Sequence, residues 1–124
     1  MVVNDHPVTR EGLIAALGSS AELQVVAGVG SGDEAISAVR EMRIDVMFLD
    51  VRMPGMGGIE AARLIRRSGP GTRIVMLTVD DSRATLAEAM RAGVAGYLLK
   101  EVEADELIRA ARLIRRARAS SIQR

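Results

Sequence analysis

Cysteine is absent from the 124 residues. That excludes disulfides and thiolate zinc sites, and it favours a cytoplasmic location. Aromatic side chains are nearly absent: Phe48 and Tyr97 are the only two. So few rings argue against a base-stacking nucleic-acid surface and against a flavin pocket walled by aromatic groups. His6 is the single histidine, so it has no second histidine with which to bind metal and reads as a loop residue. No apolar run is long enough to cross a bilayer. Asn4 and Asp5 interrupt the N-terminus too early for a signal peptide. Net charge is also lacking: 17 basic against 16 acidic residues leave +1, which gives no general attraction to nucleic acid. What remains is one domain by length, with 48 % apolar residues to supply a single core.

The stretch Val46-Met47-Phe48-Leu49-Asp50-Val51-Arg52-Met53-Pro54-Gly55 organises the rest. An apolar run without a polar break reads as a strand buried on both faces, typical of a parallel sheet. It ends on one carboxylate, Asp50, followed by a Pro/Gly turn. Four further strand-like runs, 1–3, 23–29, 73–78 and 96–99, join the 44–49 run in alternating with five helix-like stretches. That pattern predicts βα units around a parallel sheet. The first run is short for a strand, and the natural chain is expected to begin a few residues earlier.

Helix signals fall between the runs. Pro7 suits a first helical turn, and Leu13, Ala16 and Leu17 share a face. Gly28-Val29-Gly30-Ser31-Gly32-Asp33 invites a dinucleotide fingerprint, but Asp33 stands where the third glycine belongs. A turn into helix 2 is the better reading, with Ser31 and Glu34 as a capping box and Ala35, Ala38, Val39 and Met42 as its buried stripe. Helix 3 carries Ile59, Ala62 and Ile65 inward and stops at Ser68-Gly69-Pro70-Gly71. Asp80, Asp81 and Ser82 offer caps for helix 4, whose core face is Leu86, Ala89 and Met90 and whose C-cap is Gly93. Helix 5 opens acidic and closes basic, in keeping with its dipole, and packs Leu107, Ala110, Ala111 and Ile114 inward. Arg109, Arg112 and Arg116 face away, as a solvated surface, with contact to a partner or to DNA as the alternative. Residues 119–124 read as the start of a linker.

The polar residues at the strand ends carry the chemistry: Asn4 and Asp5 after the first strand, Asp50 after the third, Thr78 after the fourth, Lys100 after the fifth. In a sheet ordered 2-1-3-4-5 these ends lie side by side, and strands 1 and 3 flank the switch point where ligands bind. Two carboxylates, a hydroxyl and an ammonium suit phosphoryl transfer to a carboxylate. Hard oxygens hold Mg²⁺, a carboxylate can be the covalent nucleophile, and a metal, a lysine and a hydroxyl offset the charge on the transferred group.

Over essentially its whole length the chain resembles a response-regulator receiver domain of two-component signalling, in the NarL/FixJ (LuxR-type) pattern. The resemblance is carried by Asn4-Asp5-His6-Pro7 with Arg10-Glu11-Gly12-Leu13, by Leu49 to Met56 around Asp50, by Met76-Leu77-Thr78, and by Gly96-Tyr97-Leu98-Leu99-Lys100. It implies a flavodoxin-like (βα)5 fold over 1–118, with helices on both faces. It implies that Asp50 accepts phosphoryl from a sensor histidine kinase, and that Asp5, Asp50 and the Arg52 carbonyl bind Mg²⁺. It also implies that Lys100 and Thr78 contact the phosphoryl group and that Tyr97 changes rotamer. The face of helix 4, strand 5 and helix 5 then controls dimerisation and an output. That output is expected through a helix-turn-helix domain that this chain does not contain.

Three positions depart from the family pattern. Asn4 replaces an acid; its amide oxygen can accept from a metal-bound water but carries no charge, so Mg²⁺ binding is expected to be weaker. Val79 stands where a small residue is common and is expected to narrow access to Asp50. Glu101 follows Lys100 where proline is common, which disfavours a cis peptide bond. Two rival readings are weak. An aspartyl phosphatase of the haloacid-dehalogenase type wants a second aspartate where Arg52 stands, and a flavodoxin-like carrier wants a Ser/Thr-rich phosphate loop where Asn4-Asp5-His6-Pro7 stands. A degenerate receiver, acting as a phosphorylation-independent interaction module, is the main alternative.

Overall fold

The computed structural model describes residues 1–68, 71–79 and 82–122, with side chains described up to residue 115. Five strands and five helices alternate: β1 Val2–Val3, α1 Pro7–Gly18, β2 Gly28–Val29, α2 Gly32–Glu41, β3 Val46–Asp50, α3 Gly58–Ser68, β4 Arg73–Thr78, α4 Arg83–Arg91, β5 Gly96–Leu99 and α5 Ala104–Ile122. All pairings are parallel, as the alternation predicts, and the order is β2-β1-β3-β4-β5, the one expected of the receiver-like fold.

The period of two in the strands sorts the core into two layers. Val3, Met47, Leu49, Ile74 and Met76 point to one side and join Ala35, Ala61, Ala62, Ile65 and Ala89 from α2, α3 and α4. Val2, Phe48, Val75 and Leu77 point to the other and join Leu17, Leu107 and Ala111 from α1 and α5. Burial of each large side chain contributes about 1.5–3 kcal/mol, so β3 and β4 anchor the sheet.

Several local expectations are corrected. The strand expected over 23–29 is reduced to Gly28–Val29. β1 is only two residues long, and Val2 and Asn4 donate to the carbonyls of Ala27 and Val29; residues 23–26 find no ladder partner, although Leu23 and Val25 still pack on the second layer. Met42 is 41 % exposed, not part of the buried stripe. It is the extended C-cap of α2, so its side chain leaves the helical face. Leu86 and Met90 are also exposed: α4 is short and turns only Ala89 fully inward, which leaves those two flanking the contact. α5 continues through 119–122, so the first part of the expected linker is helix. Its Ala- and Arg-rich composition favours that state.

The caps behave as their sequences suggest. Ser31 Oγ accepts from the Glu34 N–H and donates to Glu34 Oε1, both at 3.2 Å. Ser82 caps α4 through the Thr85 N–H at 3.2 Å; Asp80, Asp81, Gly69 and Pro70 lie outside the described residues, as does the Arg116 side chain. Gly93 follows the α4 C-cap Ala92 at φ +85°, the left-handed conformation that glycine adopts freely. Arg112 is not simply solvated: its Nε donates to Glu22 Oε2 at 3.0 Å.

Candidate functional site

The C-terminal edge of the sheet collects the polar residues. Asp50 closes β3, and its neighbour across β4 is Leu77, one residue before Thr78. The Lys100 N–H donates to the Thr78 carbonyl at 2.8 Å, which extends the β4–β5 ladder one step past Leu99. Lys100 is therefore carried to the same edge as Asp50, on the side of the sheet defined by Phe48 and Leu98.

Asp50 is only 2 % exposed. Burying a carboxylate is costly unless it is paired and hydrogen-bonded. Lys100 Nζ supplies the pair at 2.8 Å from Oδ2, and the Arg52 backbone N–H donates to Oδ1 at 3.2 Å. The turn that starts α3 closes tightly on this residue. The Gly58 N–H donates to the Val51 carbonyl at 2.8 Å. A Cβ on Gly58 would strike the Asp50 carbonyl oxygen and stand 2.8 Å from Val51 Cα. Only glycine allows that approach. Thr78 is 1 % exposed beside this edge. Tyr97 pairs with Met76 and packs, partly buried, on the first core layer. Val79 is 74 % exposed and points into solvent.

The acid turn after β1 lies at the same sheet edge, since the register Val3↔Leu49 sets Asn4 beside Asp50. Asn4 is fully buried. Its Oδ1 accepts the His6 N–H at 2.8 Å, an Asx turn that leads into α1. The expectation that this oxygen serves a metal-bound water thus meets a competing bond, which takes one of its two lone pairs. Among the described residues the buried Nδ2 of Asn4 and the buried Oδ1 of Asp5 have no hydrogen-bond partner. His6 Nδ1 stands 3.3 Å from Asp5 Oδ1, in ion-pair range but without hydrogen-bond geometry. One contact had no forecast: Arg10 Nη1 donates to the Asn4 carbonyl at 2.8 Å. Its only signal in the sequence is position, one helical turn after His6.

The donor set fits a magnesium ion. Asp5 offers an oxygen with no other hydrogen-bond partner, and Asp50 offers a second carboxylate. Among the described residues no group of three or more His, Asp or Glu side chains converges. Mg²⁺ needs no such group, since it takes one or two carboxylates and fills its shell with waters and phosphate oxygens. An open depression of about 420 Å³ is lined by Val51, Arg52, Met53, Pro54 and Gly57, in the turn that follows β3. A more enclosed cavity of about 470 Å³, lined among others by Leu17, Val25, Val46 and Ala111, borders none of these polar residues. The chemistry, not the larger void, locates the site.

A doubly covered parallel sheet with a buried, lysine-paired carboxylate at its switch point defines a class, and comparison with known proteins gives it a family. The family described as the response regulator receiver domain matches residues 1–112. The response regulator GacA of Pseudomonas syringae pv. syringae (strain B728a) is 39 % identical over 114 residues, 92 % of this chain and 53 % of that protein. The nitrate/nitrite response regulator protein NarP of Escherichia coli (strain K12) is 38 % identical over 112 residues, 90 % of this chain and 52 % of that protein. A crystal structure of a LuxR-family two-component response regulator from Aurantimonas sp. SI85-9A1 superposes with a TM-score of 0.89 at 35 % identity, covering 94 % of this chain and 84 % of that one. This chain belongs to the response-regulator receiver family, and its relatives are of the NarL/LuxR type. It spans about half the length of the curated relatives it matches. Among the described residues no helix is long and apolar enough to cross a membrane.

Proposed function

We propose that this domain is a phosphorylation-dependent switch whose acceptor is Asp50. The P–N bond of a phosphohistidine on a sensor kinase breaks and a P–O bond forms to the Asp50 carboxylate, giving an acyl phosphate. The observation that supports this most directly is the buried Asp50 carboxylate held by Lys100 at 2.8 Å. A carboxylate is already ionised near neutral pH and needs no general base. Lys100 follows the negative charge onto the phosphoryl oxygens, and Thr78 donates its hydroxyl to them. Asp5, Asp50 and the Arg52 carbonyl would hold Mg²⁺, which supplies charge neutralisation on the phosphoryl oxygens when bound.

The chain is then a phosphoacceptor and not an enzyme acting on a separate substrate. Movement of Thr78 toward the new charge leaves space that Tyr97 fills by changing rotamer. That remodels α4, β5 and α5, where Leu86, Met90 and Leu113 are exposed apolar groups, and favours a homodimer. Contact with DNA falls to a C-terminal helix-turn-helix domain outside this chain, and the cytoplasm is where such a pair of proteins operates.

The test is acetyl phosphate with Mg²⁺, followed by intact mass. Wild type gains one phosphoryl group and Asp50→Asn gains none. The second reading, a phosphorylation-independent interaction module, is favoured by one observation, the engagement of the Asn4 oxygen by His6. An unmodified wild type under these conditions, or equal labelling of both proteins, decides against the phosphoacceptor.

A further inference from the structure

Two motifs are left without a use by the reading above: Arg10-Glu11-Gly12-Leu13 and the glycines at 28 and 30. The structure joins them. Arg10 sits on the first turns of α1, its N–H donating to the His6 carbonyl at 2.9 Å. Its side chain crosses the end of β2. A Cβ on Gly28 would lie 3.6 Å from both Cγ and Cδ of Arg10 and 2.5 Å from Ile14 Cδ1. A Cβ on Gly30 would lie 3.1 Å from Arg10 Nη1 and 4.0 Å from the Asn4 carbonyl oxygen. The glycines thus clear the path by which the guanidinium reaches that carbonyl, at 2.8 Å.

We propose that Arg10 is a positioning residue for the cation site, a strut that fixes the Asn4–Asp5 peptide and that glycines 28 and 30 make room for. This rests on the reading of Asp5 as a cation ligand. The turn from 4 to 10 is closed by three bonds: Asn4 Oδ1 from the His6 N–H, the His6 carbonyl from the Arg10 N–H, and the Asn4 carbonyl from Arg10 Nη1. The last is charge-assisted and the strongest of them. It fixes the peptide that precedes Asp5, whose Oδ1 is buried without a hydrogen-bond partner among the described residues. Such an oxygen binds a cation well only if it is held in place beforehand.

The sign of the effect separates a strut from a mere neighbouring charge. A guanidinium beside an acid site repels a divalent cation, so removing a bystander charge tightens binding. Removing a strut loosens it. Mg²⁺ titration of the unphosphorylated protein, followed by backbone amide shifts, is run on wild type, Arg10→Ala and Gly30→Val. The last keeps the charge and takes its space. Both variants are expected to raise the Mg²⁺ dissociation constant by about 10–100-fold, the range for lost outer-shell support. Without metal, hydrogen exchange at the His6 amide is expected to speed up by about tenfold in both, as one charge-assisted bond is lost, while the Met76 amide is unchanged. Equal or tighter Mg²⁺ binding by Arg10→Ala overturns the proposal, as does His6 exchange at the wild-type rate in either variant. A wild type that gives no response to Mg²⁺ overturns the reading of Asp5 instead, and the exchange measurement still decides on the strut.

Discussion

Removing either member of the Asp50–Lys100 pair should have unequal consequences. Asp50 is 2 % exposed, whereas the Lys100 side chain is 23 % exposed. Lys100→Met leaves a buried carboxylate without its ion pair, with the Arg52 N–H at 3.2 Å still donating to it. Breaking a buried pair from one side costs about 3–5 kcal/mol when both groups are sealed from water. Lys100 is not fully sealed, so about 2–4 kcal/mol is the expected loss here. Asp50→Asn is the opposite case. Its amide oxygen can still accept from Arg52, and the freed ammonium can turn to solvent on its flexible stem. Its cost should be below about 1 kcal/mol. The double variant should recover most of what Lys100→Met loses, because no charge is then buried alone. Urea unfolding of the four proteins, at constant m-value, measures this cycle. If Lys100→Met costs no more than Asp50→Asn, then Asp50 is not held as a buried anion by Lys100, and the electrostatic account of the site fails.

Three further outcomes follow from particular contacts. Asn4→Asp keeps the acceptor used by His6 and replaces Nδ2, which has no partner among the described residues, with a charged oxygen. It should bind Mg²⁺ at least about tenfold more tightly and be less stable without it, since like charges then crowd the turn; equal Mg²⁺ affinities in a calorimetric titration would argue against this. Gly58→Ala should cost about 1–3 kcal/mol, because its Cβ meets the backbone of Asp50 and Val51 rather than a flexible side chain. An unchanged melting temperature would show that the α3 turn can retreat freely. In a polypeptide whose first residue is Met1, the terminal ammonium, which donates to the Val46 carbonyl at 3.0 Å, is lowered from 8.0 to about 6 by burial, against a raising effect of Asp45. Between those values the unfolded chain binds more protons than the folded one, so stability should rise from pH 6 to pH 8, by about 2–3 kcal/mol in all, and level off above. Urea midpoints across that range should lose this slope on Nα-acetylation.

The sequence by itself determined the layer plan. Runs such as 46–49 and 74–77 are apolar without interruption, and only a sheet covered on both faces accepts them. It also determined which residues gather at one edge. Asp50, Thr78 and Lys100 each follow such a run directly, so the topology alone brings Lys100 to Asp50. Burial at the margins was decided only by tertiary structure. Leu86 and Met90 share a helical period with buried neighbours yet stay exposed, because periodicity names a face and not how wide a contact it makes, and Met42 is exposed because the helix ends one residue before it. The strand over 23–26 was lost for a similar reason: strand propensity needs a partner, and β1 is too short to provide one. The orientation of the Asn4 amide and the reach of Arg10 were likewise invisible in the sequence. Both depend on a hydrogen bond between a side chain and a backbone group that the folded turn alone brings into range.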